Sequence, residues 1–341
     1  MTTVFHDHLA AAENIGDAQA QFRALVSGCG VYDLASRIKL SLTGRDRVRW
    51  LNGMVTNNIR DLAPGRGVYA FLLNPQGHIL GDLYAYNRGE SLLLDTDQGQ
   101  TEKLLATLRR YIIMDKVELA DASGQLTALG ISGPRAQEVL HAAGFEFPDL
   151  APLEFVDLIW REAPLTLARS DNSGIASFEL WLAPEHTPAL QQELIKAGAE
   201  LVGPAALELL RIASGIPRYG QDIRERDLPQ ETEQQRALCF TKGCYSGQEI
   251  VERIRSRGAV HRKFTGFLVD GVLPAAETKI KADGKDVGEV TSVASLPSAR
   301  GAQLVALGYI RREAVQPGKL LEAGGAKLSV ADIPFREVFK N

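Results

Sequence analysis

The 341-residue chain has three cysteines, no long apolar run and no marked excess of one charge. Cys29, Cys239 and Cys244 are too few and too unevenly spaced for a disulfide scaffold, which indicates free thiols in a reducing compartment. No apolar stretch approaches the roughly 18 residues of a membrane span, and the N-terminus lacks a basic segment followed by an apolar one. We therefore expect no membrane association and a cytoplasmic location, or an organellar one after processing.

The overall charge is slightly negative, with 38 Lys and Arg against 42 Asp and Glu. A pI near 5.9 argues against a chain that coats nucleic acid through its total charge. Residues 211–263 nevertheless hold 11 basic and 7 acidic side chains, a local excess of +4. That excess is either a solvated face with ion pairs inside the chain, or a site for an acidic ligand, an acidic client or RNA phosphate. No stacking-aromatic signature accompanies it, so we do not expect direct nucleic-acid binding.

Two stretches of the chain predict the same order of secondary-structure elements. Residues 39–120 predict strand, helix, extended runs, helix and strand. Residues 127–202 predict strand, helix, a hairpin turning near Asn172, helix and strand. This is the split βαβ order, in which helices cover one face of an antiparallel sheet. We therefore predict two α+β lobes, over residues 1–125 and 126–204.

The C-terminal part of the chain has a different sequence pattern. Helical periodicity disappears, and short β-rich runs alternate with turn signals such as Asp283-Gly284 and Pro317-Gly318. This pattern predicts a small antiparallel β-barrel or sandwich over residues 263–341. Between the lobes and this domain, residues 205–262 contain all but the first residue of a helix, Pro204 to Ser214, and a long polar stretch. The density of motifs in that stretch favours a functional surface over a linker.

One string in the connecting segment has the composition of a reactive site. It reads Lys242-Gly243-Cys244-Tyr245-Ser246-Gly247-Gln248-Glu249 and precedes the apolar face of a helix. Both a neighbouring lysine and a helix N-terminus favour a thiolate. Cys244 is therefore either a reactive thiolate or a small buried residue in a turn. Cys239 has neither CxxC spacing nor a histidine cluster, so we interpret it, with Cys29, as a packing thiol and predict no metal site.

The 242–249 string resembles the folate-binding YgfZ branch of the family that includes the aminomethyltransferase of the glycine cleavage system. The run Leu210–Asp222 and the Leu228-Pro229-Gln230-Glu231 string share this resemblance, and Asn74-Pro75-Gln76-Gly77 fits the wider family. The resemblance covers most of the chain. It implies an α+β cloverleaf of two split βαβ (ferredoxin-like) lobes plus a C-terminal antiparallel β-barrel, around a central hole that holds a reduced folate.

The chain departs from the aminomethyltransferase pattern at two points. The transferases carry paired aspartates after the Asn-x-x-Gly turn, whereas this chain keeps Asp82 alone. A lone carboxylate either accepts a proton or holds an amine, or it caps a turn. Where the transferases place a pterin-binding glutamate, this chain has Ala213. Either Ser214, Glu208 or a backbone carbonyl replaces that glutamate, or folate binds weakly.

The resemblance implies a folate-binding accessory protein in iron–sulfur cluster assembly or repair, supporting iron–sulfur enzymes including those that modify tRNA. A thiolate such as Cys244 is a soft ligand and a nucleophile, but one thiol needs further ligands from glutathione or a client protein. The alternative is a tetrahydrofolate-dependent aminomethyltransferase or demethylase that acts on a small amine through Asp82. A third interpretation is a binding scaffold that docks a partner through Arg253, Arg255 and Arg257.

The predicted partners are folate and iron–sulfur client enzymes or assembly proteins, and the predicted cofactor is tetrahydrofolate or a one-carbon derivative. Whether the chain turns over a substrate stays open at this point. The candidate catalytic residues are Cys244, Asp82 and Lys242. The candidate folate-binding residues are Asn57, Asn58, Tyr69, Asn74, Arg211, Tyr219, Tyr245, Gln248 and Glu249.

Overall fold

The computed structural model describes residues 18–171, 174–258, 260–298, 301–315 and 319–340. Its first elements are helix α1 (Ala18–Ser27) and strand β1 (Gly30–Asp33). The turns predicted at Asn172 and at Pro317-Gly318 involve residues outside these ranges. Among the described helices, none combines the length and apolar character that a membrane crossing needs.

The first lobe is one antiparallel sheet with helices. Its elements are β2 (Arg37–Thr43), α2 (Arg47–Met54), β3 (Arg66–Leu73), β4 (Ile79–Asn87), β5 (Leu92–Asp97), α3 (Gln98–Arg110) and β6 (Glu118–Asp121). The sheet order is β3-β4-β5-β2-β6. Helix α3 begins where the Asp97 carboxylate accepts a hydrogen bond from Gly99 N at 2.8 Å, and it ends with two arginines that suit its negative dipole end.

The second lobe repeats this plan with one addition. Its elements are β7 (Thr127–Ser132), α4 (Ala136–Ala142), β8 (Phe155–Trp160), β9 (Ala163–Arg169), β10 (Ser177–Leu182), α5 (Thr187–Lys196) and β11 (Glu200–Leu201). The sheet order is β11-β1-β7-β10-β9-β8. Strand β1 therefore lies within residues 1–125 of the sequence but pairs in the second sheet, antiparallel to β7 and parallel to β11.

The connecting segment contains helices α6 (Pro204–Ser214) and α7 (Gln248–Arg257). Helix α6 has the predicted bounds, with proline at its first turn and Gly215 in the left-handed conformation, φ 69°, at its end. A Cβ on Gly215 would lie 2.4 Å from Ile333 Cβ, so this helix end closely approaches the C-terminal segment. One apolar cluster joins α1, α6 and the barrel face that carries Phe264.

The C-terminal domain is the predicted antiparallel barrel. Its strands are β12 (Arg262–Asp270), β13 (Lys279–Ala282), β14 (Lys285–Ser298), β15 (Gly301–Arg311), β16 (Leu321–Ala323) and β17 (Ala326–Ala331). They close in the order β12-β15-β14-β13-β16-β17. The predicted fold, two α+β lobes followed by a C-terminal barrel, is thus confirmed, and the lobes and barrel meet at the end of α6.

Candidate functional site

The loop that carries Cys244 is fixed to the C-terminal end of α2 by Lys242. The Lys242 Nζ donates hydrogen bonds to the carbonyl oxygens of Asn52 (2.6 Å), Val55 (2.6 Å) and Asn57 (2.7 Å). These acceptors use all three N–H groups of the ammonium. Burial lowers the pKa of Lys242 to about 8, whereas three close carbonyls favour the charged form, and both are consistent with an ammonium at neutral pH. The observed contacts therefore make Lys242 a positioning residue for the loop.

The glycines of the same string allow it to pack closely. Gly247 precedes α7 with φ 81°, and a Cβ there would lie 2.6 Å from the carbonyl oxygen of Asn74. Gly77 has φ 78°, and its Cβ would lie 2.8 Å from Ile250 Cβ on α7. The loop and the Asn74–Gly77 turn therefore contact each other through their backbones. A side chain at Gly247 or Gly77 would push the two segments apart. Within this packed loop the Cys244 side chain is exposed.

The three cysteines occupy different environments. Cys29 is buried, and burial raises the pKa of its thiol to about 12. Cys239 is half-buried, and its sulfur lies 3.5 Å from Thr241 Oγ1. Burial alone would raise the pKa of Cys239, but hydrogen bonds from Thr241 and the backbone of Lys242, together with the Lys242 charge, lower it. Cys239 is thus half-buried, whereas Cys29 is fully packed.

Asp82 lies in a hydrogen-bonded group beside the loop. Its carboxylate accepts from Tyr69 Oη at 2.6 Å and from Gln100 Nε2 at 2.5 Å, so each oxygen has a donor. Asn57 Nδ2 donates to the Tyr69 carbonyl at 2.8 Å, and the Asn57 carbonyl accepts from Lys242. The structure therefore brings Asn57, Tyr69, Asp82 and Lys242 together. It leaves Asp82 held by neutral donors on both oxygens.

Arg236, which the sequence did not single out, joins this group to a cavity. Its guanidinium lies 4.4 Å from the centroid of the Tyr69 ring and forms an ion pair with Asp171 of the second lobe. Asp171 also accepts a hydrogen bond from Tyr84 Oη at 3.0 Å. Stacking on the tyrosine and pairing with the carboxylate hold the guanidinium at the junction of the lobes.

The cavity has a volume of about 390 Å³ and lies where the second lobe, the end of α6 and the barrel meet. This volume falls within the usual range for small-molecule sites. Ser214 lines it, is only 3% exposed, and its Oγ has no hydrogen-bond partner among the described residues. A buried hydroxyl without a partner is unfavourable unless a ligand or water completes it. The charged residues of the lining are Asp171, Glu233, Arg236, Lys263 and Asp332.

Most of the remaining predicted site residues have partners within the protein. Tyr245 lies under the Lys242 ammonium at 5.0 Å, and its N–H donates to Gln248 Oε1 at 3.3 Å. Glu249 is exposed. The Asn58 side chain donates to Asp61 at 2.7 Å.

Three further predicted residues belong to local networks. The Asn74 side chain accepts from His78 N at 2.9 Å, and Tyr219 Oη donates to the Leu80 carbonyl at 2.6 Å. Arg211 is largely buried between Glu208 and Asp222. None of the predicted residues lines the cavity itself.

The fold of the chain is that of an aminomethyltransferase-like protein. The structure of glycine cleavage system aminomethyltransferase T from Bartonella henselae matches it with a TM-score of 0.84 at 23% identity, over 94% of this chain and 90% of that one. The aminomethyltransferase of Rippkaea orientalis is 29% identical over 89% of this chain and 84% of its own length. The aminomethyltransferase of Geobacillus kaustophilus is 27% identical over 92% of this chain and 89% of its own length.

Family models identify the two parts of the chain more narrowly. The GCVT N-terminal domain matches residues 4–242, and the CAF17 C-terminal beta-barrel domain matches residues 255–335. The chain therefore belongs to the GCVT N-terminal domain family, and its barrel makes it a YgfZ-type member. The resemblance based on the 242–249 string is confirmed.

Proposed function

We propose that this chain is a folate-binding accessory protein in iron–sulfur cluster assembly or repair, supporting iron–sulfur enzymes including those that modify tRNA. The observation that carries the proposal is the exposed Cys244 thiol on a loop held by three hydrogen bonds from Lys242. A thiolate is a soft ligand for iron, and a rigid, exposed position suits transfer between proteins. The CAF17-type barrel supports the same assignment.

In this proposal the iron–sulfur species is the substrate and Cys244 supplies one sulfur ligand. The described residues contain no group of three or more His, Cys, Asp or Glu side chains suited to a metal ion. Further ligands then come from a second molecule, either glutathione or a client protein. The solvent-facing Cys244 leaves room for such a molecule, which a buried thiol such as Cys29 would exclude.

The cavity lining fits a reduced folate. Tetrahydrofolate, when bound, supplies a carrier for a one-carbon unit. Of the three substitutes considered for the missing glutamate, Glu208 already pairs with Arg211 and Arg218, and the Ala213 carbonyl accepts Phe335 N at 2.8 Å. Ser214 Oγ is the group with hydrogen-bonding capacity to spare. Ser214 would therefore hold the polar edge of the ligand.

Ser214→Ala separates ligand binding from stability. Removing a buried hydroxyl that has no protein partner should leave the melting temperature unchanged or slightly higher. It should weaken tetrahydrofolate binding about five- to tenfold, because one hydrogen bond to the ligand is worth roughly 1 kcal/mol. Calorimetric titration and thermal unfolding measure the two effects. Ser298→Ala on the barrel is the matched control, and unchanged folate affinity in Ser214→Ala would contradict the assignment of this cavity.

A second candidate is a tetrahydrofolate-dependent aminomethyltransferase or demethylase. The hydrogen bond between Asp82 and Tyr69, whose ring packs against Arg236 of the cavity lining, favours it, since a carboxylate can hold an amine. Two observations weigh against it: both Asp82 oxygens already have donors, and Ala213 is fully buried among apolar side chains.

The transferase candidate predicts turnover by the purified chain. With tetrahydrofolate and a methylamine-bearing donor, a one-carbon folate product should form, and Asp82→Asn should lower its rate at least about tenfold while folate binding persists. Product formation is followed by chromatography. Absence of product with a folate-saturated protein would leave the accessory function as the remaining assignment.

A further inference from the structure

The turn after α3 carries large apolar side chains on its outside. Ile113 and Met114 are 82% and 90% exposed, and the neighbouring Tyr111 is 41% exposed. Large apolar residues that protrude side by side are uncommon on monomeric proteins unless they bind something. With the exposed basic residues around them they form the 109–116 patch, which consists of Arg109, Arg110, Tyr111, Ile113, Met114 and Lys116.

The patch is held in place by the first lobe. Trp50 Nε1 donates to the Tyr111 carbonyl at 3.1 Å, and Arg49 forms an ion pair with Asp115. Ile112, between the exposed residues, turns inward and joins the apolar core of the lobe. Because the turn is anchored on both sides, its backbone is held in place and Ile113 and Met114 point into solvent.

The rim of the patch is positive. Arg109, Arg110 and Lys116 are exposed, and none has a carboxylate within 4 Å in the part of the chain that the structure describes. Arg45 on the adjacent loop is also exposed, with only a 3.9 Å contact to Asp46. An apolar centre with a positive rim is complementary to an acidic surface that has an apolar recess.

The patch and the Cys244 loop are built on the same short helix. Trp50 of α2 holds the patch, and the carbonyls of Asn52 and Val55 at the end of α2 hold Lys242. At 1.5 Å per residue, Trp50 and Val55 are only about 8 Å apart along the axis. The Arg60 guanidinium, which follows α2 in the chain, lies 3.7 Å from the position of a Cβ on Gly243. An interface of the usual size, about 800 Å² on each partner, spans that separation, so one partner protein can contact both.

We propose that the 109–116 patch and the Cys244 loop form one docking surface for an acidic partner protein, whose apolar recess receives Ile113 and Met114. The inference rests on the proposed function: the partner is the protein that delivers or receives the iron–sulfur species at Cys244. The charge complementarity and the position next to an exposed thiol carry this assignment. A lipid surface would satisfy the charge but has no chemistry for Cys244.

Site-specific photo-crosslinking of the full chain in cells tests the surface. A photoreactive phenylalanine is placed at Met114, at Glu249 beside the Cys244 loop, and at Val272, which is 80% exposed on the barrel and serves as control. The same acidic protein should cross-link from positions 114 and 249 but not from 272. The yield of this cross-linked product should fall about tenfold in the double variant Arg109→Glu/Arg110→Glu. Different adducts from 114 and 249, a basic partner or an undiminished yield would overturn the proposal.

Two further measurements separate the inference from the function on which it rests. Ile113→Asp/Met114→Asp should keep its melting temperature and folate affinity but lower iron–sulfur enzyme activity in cells about tenfold. If Cys244→Ser removes that activity and the patch variant does not, the docking surface is wrong and the function stands. If neither variant changes the iron–sulfur enzyme activity, both the docking surface and the proposed function are wrong. The unaltered protein and the patch variant are also mixed with vesicles of equal parts phosphatidylcholine and phosphatidylglycerol. If only the unaltered protein binds them, the patch binds a membrane instead.

Discussion

Cys244→Ser should reduce the activity of iron–sulfur enzymes to the level of cells that lack this protein. Serine is nearly the same size but is a hard, neutral oxygen at physiological pH, so it cannot replace a thiolate as a soft ligand. Because the side chain is exposed, the melting temperature and the folate affinity should stay unchanged. A tRNA methylthiotransferase assayed in a deletion strain that carries the variant gives the readout.

Two companion variants make this result specific. Ser246→Ala lies in the same loop and should retain full activity, since no sulfur is lost. Cys244→Ala should behave like Cys244→Ser. Full activity in Cys244→Ser with normal protein levels would refute the role of the thiol and, with it, the leading function.

Lys242→Met should lower the free energy of unfolding by about 3 kcal/mol or more. Methionine keeps most of the side-chain volume but removes the donor to the carbonyls of Asn52, Val55 and Asn57, and leaving such buried acceptors unpaired costs roughly 1–3 kcal/mol each. Release of these bonds should also free the Cys244 loop, so iron–sulfur enzyme activity falls with stability. Thermal unfolding and hydrogen exchange of residues 52–57 measure the change.

Lys281→Met is the control, because Lys281 is exposed on β13 and should change stability by less than about 0.5 kcal/mol. The same comparison shows whether Lys242 holds the loop or acts in the chemistry. A variant that unfolds at the normal temperature but is inactive would mean that the ammonium acts in the chemistry rather than in holding the loop.

Local sequence patterns predicted the elements but not all of their partners. Helix α6 has the predicted bounds, because Pro204 and Gly215 mark its ends through backbone conformation alone. The sequence pattern does not predict strands β1 and β8, and the residues of β1 fall within the predicted first lobe. The pairing of β1 with β7 and β11 depends on residues far away in the chain, for which short-range periodicity carries no information.

In the candidate site, too, the sequence predicts the residues that are contiguous in the chain but not those that come together from distant segments. The 242–249 string identified Cys244 because lysine, glycine and cysteine at that spacing lie in one continuous loop. The cavity instead combines Asp171, Ser214, Arg236, Lys263 and Asp332 from the second lobe, the connecting segment and the barrel. Only Ser214 was considered beforehand, through the position of the missing glutamate. No spacing in the sequence connects Asp171 with Arg236, whose pairing depends on how the lobes pack.

Strand β1 also sets an order of events during synthesis. Gly30 pairs with Ser132 on β7 and with Glu200 on β11, so β1 has no neighbouring strand until the ribosome has delivered β7, and one of its edges stays unpaired until β11 follows. The first lobe needs only strands between Arg37 and Asp121 and should fold earlier, since contacts close in sequence form fastest. Through most of translation of the second lobe, β1 thus remains an open strand edge on the nascent chain, and this is the interval in which a chaperone would have most effect.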